Sequence, residues 1–107
     1  MATSRIRFQV SINGHPVAIV GVGDYGVLHA IVSWVRRSPA AITDEVRARP
    51  DFDEQWFLKE RCELLLGALD TIAQRDHSWP KRDLSPGDEI TIRVLADGDY
   101  EVPSADA

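Results

Sequence analysis

Cysteine is almost missing from this 107-residue chain. Cys62 stands alone, so no internal disulfide can brace the fold, and that usage fits a reducing, cytoplasmic setting. Long hydrophobic runs are missing too: nothing approaches the roughly 18 residues of a membrane span, so no membrane partner is expected. Met1-Ala2-Thr3-Ser4-Arg5 leads directly into an alternating pattern and shows no signal-peptide core. His15, His29 and His77 are scattered, with no H-x-x-x-H or C-x-x-C grouping, so neither metal nor other cofactor is expected. Asp76-His77-Ser78 holds the residue types of a catalytic triad, but chain neighbours cannot line up as orienter, base and nucleophile. No enzyme is expected on these grounds. Basic charge is short overall and absent at one end. Twelve basic residues against seventeen acidic give −5, and no Lys or Arg follows Arg93, whereas Asp97, Asp99, Glu101 and Asp106 do. These four acids leave only −1 for residues 1–95. Nucleic acid, which is bound by neutralising phosphates, is not an expected partner.

Hydrophobic residues at 44% and charged residues at 27% are what a folded chain of this length needs for one core. The expected division is a single domain over residues 1–95 and an acidic, flexible tail over 96–107. Ile6, Phe8, Val10 and Ile12 alternate with Arg5, Arg7, Gln9 and Ser11, which predicts a half-buried strand. Asn13-Gly14 then predicts a type I′ hairpin turn. That loop pairs Ile12 with His15, Val10 with Val17, Phe8 with Ile19 and Ile6 with Gly21. Pro16 marks the second strand as an edge.

Two helices are expected next. The first runs from near Tyr25 to Arg37, with Asp24 as N-cap and Val27, Leu28, Ile31, Val32, Trp34 and Val35 making it apolar nearly all round. The second spans 53–75 behind a capping box of Asp51 and Glu54, with Leu58, Cys62, Leu65, Leu69 and Ile72 at helical spacing. Gly67 costs this helix about 1 kcal/mol unless something packs closely against it. Between the helices, residues 38–50 form a connection with one short turn around Asp44–Arg47. Trp34, Trp56 and Trp79 are expected in or near the core. Pro86-Gly87 signals a type II turn, and Glu89–Leu95 a final strand with Ile90, Ile92 and Val94 inward.

The order β-β-α-α-β, with Leu84-Ser85-Pro86-Gly87-Asp88-Glu89-Ile90 leading into the last strand, resembles the β-grasp superfold of ubiquitin-like modifiers and sulfur carriers. The resemblance covers residues 5–37 and 84–95 and implies a scaffold. Conjugation or sulfur transfer is not implied, because Val102-Pro103-Ser104-Ala105-Asp106-Ala107 stands where those families have Gly-Gly. The expected fold class is therefore α+β. It is a small mixed three-stranded sheet with the first strand central, the last strand parallel to it, and both helices on one face.

Gly21-Val22-Gly23-Asp24-Tyr25-Gly26 matches G-x-G-x-x-G, which supports a runner-up reading as a nucleotide-binding protein or enzyme using that loop. The favoured reading is a non-enzymatic protein-interaction module: an adaptor, an immunity or inhibitor protein, or a ubiquitin-like protein. Its partner is a protein, and self-association is compatible with it. Partner binding is assigned to the sheet face away from the helices, where Arg5, Arg7, Val20 and Arg93 combine positive charge with aliphatic surface.

Overall fold

Strand alternation, not helical spacing, organises nearly the whole chain. In the computed structural model, which describes residues 2–103, β1 (Ala2–Ser4), β2 (Arg7–Ile12), β3 (His15–Val20) and β4 (Gly26–Val35) come first. A 3-10 turn (Pro39–Ala41), α1 (Asp44–Arg47) and α2 (Glu54–Leu58) follow. The chain continues through β5 (Arg61–Asp70), β6 (Arg75–Ser78), β7 (Arg82–Asp83), β8 (Ile90–Leu95) and β9 (Gly98–Tyr100). One sheet has the order β3-β2-β8 and a second the order β4-β5-β6, with β7 also on β5; β1 and β9 form a two-stranded ribbon. The molecule is mostly β, so the α+β expectation and its β-grasp arrangement are overturned.

Both long helices are replaced by strands. The segment expected as the first helix is β4, paired antiparallel with β5 from Gly26↔Asp70 to Val35↔Arg61 without a break. Its apolar residues lie on both faces and four of them are β-branched, which favours a pleated strand over a helix. Of the second helix only Glu54–Leu58 is helical, capped by Asp53, whose carboxylate accepts from the Trp56 N–H at 3.3 Å. The run Leu64–Leu69 is so uniformly apolar that periods of two and 3.6 both fit it. Period two wins because Leu64, Leu66 and Ala68 then point together into the core.

The N-terminal hairpin forms where its turn demands, with Asn13 at φ 53° and Gly14 at φ 80°. Ile12↔His15 and Ser11↔Pro16 pair as the turn sets them. The register then shifts between Val10 and Ser11, giving Val10↔Ala18 and Phe8↔Val20 in place of the expected Val17 and Ile19 partners. A bulge of this kind exchanges the faces of the remaining residues of the strand. β2 is central, as expected, but β8 runs antiparallel to it, not parallel.

The facing sides of the two sheets meet in one core. Val10 and Val20 come from the smaller sheet, Leu64, Leu66 and Ala68 from the larger, and Val22 and Trp79 close the cluster. Trp79 is the only tryptophan buried there; Trp34 and Trp56 are exposed. Around the core, short polar ties hold the strands. The buried Ser4 hydroxyl donates to the Ile6 carbonyl at 2.6 Å and accepts from the Val22 and Gly23 N–H groups at 3.0 and 3.2 Å. At the other end the Asn13 side chain donates to Asp88 at 3.0 Å and accepts from the Glu89 N–H at 2.9 Å. The Pro86-Gly87 turn forms with Gly87 at φ 94°, closed by the Asp88 N–H to the Ser85 carbonyl at 3.0 Å. Hydrogen bonds from Asn13 and the Ser85 N–H hold the Asp88 carboxyl below its ordinary value of 3.8. This link adds stability above that value and loses it as pH falls through the lower folded one.

The strand assignment for residues 61–70 has a direct test. Leu64→Ala is expected to lower stability by about 2–5 kcal/mol in urea unfolding, since its side chain is fully buried. Ile72→Ala, at a position expected inside a helix core but 75% exposed, is expected to change stability by less than about 0.5 kcal/mol. A helix over 53–75 would bury Ile72 with Leu65 and Leu69 and make its loss costly as well.

Candidate functional site

The four residues assigned to partner binding do not form one surface. Val20 is 0% exposed, because the bulge turned its strand over and placed it in the core; a surface role for it is overturned. Arg5 lies off the sheets, in the bend between β1 and β2. It lines a shallow cleft of about 630 Å³ with Thr3, Ser4, Asp24 and Asp97. Arg7 is occupied. Its guanidinium donates to the carbonyls of Ala96 and Asp99 at 3.0 Å and of Asp97 at 3.4 Å. It wraps Gly98 so closely that a Cβ there would lie 2.6 Å from the guanidinium carbon. Arg93 alone remains an exposed strand residue, opposite Gln9.

Arg7 therefore anchors the segment expected as a flexible tail. Residues 98–100 form β9, which pairs with β1 as Ala2↔Tyr100 and Ser4↔Gly98. Asp106, the last of the tail acids, lies outside the described residues.

The glycine loop loses its ligand geometry for a separate reason. A dinucleotide fingerprint needs a helix N-terminus after the glycines, and here a strand follows. Each glycine has its own structural cause. A Cβ on Gly21 would lie 2.6 Å from the Tyr100 ring and 2.7 Å from the Ser4 Cβ. Gly23 has φ 101°, and Gly26 packs against the Leu69 carbonyl and the Val22 side chain. Burial and the negative charge of Asp70 push the Tyr100 hydroxyl above its ordinary pKa.

The most conspicuous unpartnered surface lies along β4. This strand ends its sheet, so on its free side alternate residues point backbone N–H and C=O groups outward. Among the described residues no other segment donates to or accepts from that edge. Val27, Ile31, Val32 and Trp34 are 51%, 46%, 58% and 64% exposed. By strand alternation Val27 and Ile31 face away from the core, beside Leu69 and Leu65 of β5, while Val32 and Trp34 face inward but stay open because β4 is the edge strand. The Trp34 indole N–H donates to Glu60 at 3.0 Å. It borders a groove of about 400 Å³ that continues along Cys62, Leu84 and Pro86.

Sequence reading missed this surface because helical wrapping would have buried the same residues. One signal was available: Gly67, tolerable only if something packs on it, lies under the His29 ring, opposite it on β4. No family model, no curated protein and no solved structure matches the chain.

The roles of the two strand arginines separate in a simple experiment. Arg7→Ala is expected to cost about 1 kcal/mol and to speed exchange of the ladder amides where β1 and β9 meet. Arg93→Ala is expected to leave both within error of wild type.

Proposed function

We propose that this chain is a small, non-enzymatic protein-interaction module that engages its partner along β4, by strand addition backed by apolar side chains. The exposed edge of β4, with four large hydrophobic residues on one ten-residue strand, carries this reading. Strand addition draws affinity from backbone hydrogen bonds and specificity from alternate side chains, and β4 offers both. Exposed tryptophan is a frequent anchor at such surfaces, and Trp34 stands at the mouth of the groove beside Pro86. Net charge of −5 disfavours nucleic acid as the partner. No helix is long and apolar enough to cross a membrane. The single half-buried thiol of Cys62 fits work in the reducing cytoplasm.

Capture from a lysate of the native host tests the reading. Tagged wild-type protein is expected to retain a defined polypeptide, either another protein or untagged copies of itself. Val32→Glu, a substitution on exposed surface, is expected to lose it with an unchanged melting temperature. Equal capture by both proteins would remove β4 from the interface.

A further inference from the structure

The partner chemistry that β4 fits best is β4 itself. We propose that two copies of this chain pair antiparallel along β4, about a two-fold axis at Ile31, joining their larger sheets into one; this rests on the reading of β4 as an interaction edge.

Edge protection supplies the first observation. The other long strand edges in the described structure are guarded. β3 carries Pro16 and a bulge, β8 carries the exposed Arg93, and β6 is four residues long and begins Arg75-Asp76. From Gly26 to Val35 there is no proline, no Lys, Arg, Asp or Glu, and no break in register. Such an edge needs a cover.

Self-complementarity supplies the second. With Ile31 opposite its own copy, Val27 meets Val35 and His29 meets Ser33 on one face. On the other face Leu28 meets Trp34 and Ala30 meets Val32. Every apolar residue finds an apolar partner, and the one imidazole finds a hydroxyl. The flanks agree. Asp24 precedes the strand, Arg36 follows it, and both are exposed. Antiparallel pairing brings Arg36 of each copy toward Asp24 of the other, at both ends of the seam. Parallel pairing would set Asp24 against Asp24 and Arg36 against Arg36.

Surface area supplies the third. The isolated chain exposes 7716 Å², whereas a folded monomer of its mass exposes roughly 5,900 Å². The excess, roughly 1,800 Å², is ample for the about 800 Å² that each partner buries in a standard interface. Its radius of gyration, 17.0 Å, likewise exceeds the about 13 Å expected for this length.

The self-opposed residue makes a sharp test by sedimentation or light scattering. Wild type is expected at twice the chain mass of 11.9 kDa. Ile31→Lys and Ile31→Glu are each expected to be monomeric, because like charges meet on the axis, with circular dichroism unchanged. An equimolar mixture of the two variants is expected to regain the dimer mass. A monomeric wild type, a dimeric Ile31→Lys, or a mixture that stays monomeric would each overturn the proposal. The lysate result separates the two levels. If wild type is monomeric yet Val32 still governs capture of a different protein, β4 is an edge for that protein and not for a second copy. If nothing is captured either, both readings fall.

Discussion

The two sheets differ in length, and most of the structure follows from that. β4 and β5 are ten residues each, about 33 Å of extended chain, whereas β2, β3 and β8 are six, about 20 Å. A sheet can bury only the area its neighbour covers. Leu64, Leu66 and Ala68 of β5 are sealed against Val10 and Val20, while Val32, opposite the buried Leu64, and Trp34 stay open because β4 is the edge strand. The connection between β4 and β5 leaves from the Val35 end. It packs mainly on itself: Phe52 lies 5.6 Å from Phe57, and Arg37 and Arg61 stack on Phe57 and Trp56 at 4.9 and 4.1 Å.

How much of this was legible depended on whether the signal was local. The Asn13-Gly14 turn, the edge-marking Pro16, the short turn around Asp44–Arg47, which is helical, and the Pro86-Gly87 turn are set by one to four residues, and all of them form. The helices over 25–37 and 53–75 were judged by apolar spacing, and the stretches that carried it, Val27–Val35 and Leu64–Leu69, are apolar at most positions. There, spacing carries no information about period. Tertiary packing decided between helix and strand, and it chose the conformation that pairs β4 with β5. The error at Val20 has a different origin. One bulge next to Ser11, with no glycine or proline to announce it beyond Pro16, moved Ala18 and Val20 from surface to core.

The candidate site could not be read locally, because the contacts that decide it come from distant parts of the chain. Arginines on alternating positions look like an open basic face until the carbonyls that take up one of them are known, and those of residues 96–99 come from the far end of the chain. Glycines in a G-x-G-x-x-G pattern look like a phosphate cradle until Tyr100 and Ser4 are found occupying the space beside Gly21. In both cases the deciding partner is remote in sequence and close in space.

The pairing of β1 with β9 also bears on how the protein is made. Residues 2–4 leave the ribosome long before residues 98–100, so their strand waits without its partner. The β2–β3 hairpin can close early through its tight turn, but β8, which completes that sheet, arrives only after β4 to β7. Once β5 has emerged, the apolar β4–β5 pair is present without its full cover until β8 follows. Pairings this distant in sequence close late and slowly, at the entropic expense of ordering long loops. The nascent chain is therefore most exposed to misassociation after β5 has emerged and before β8 has, and that hazard falls on the strand with the least guarded edge.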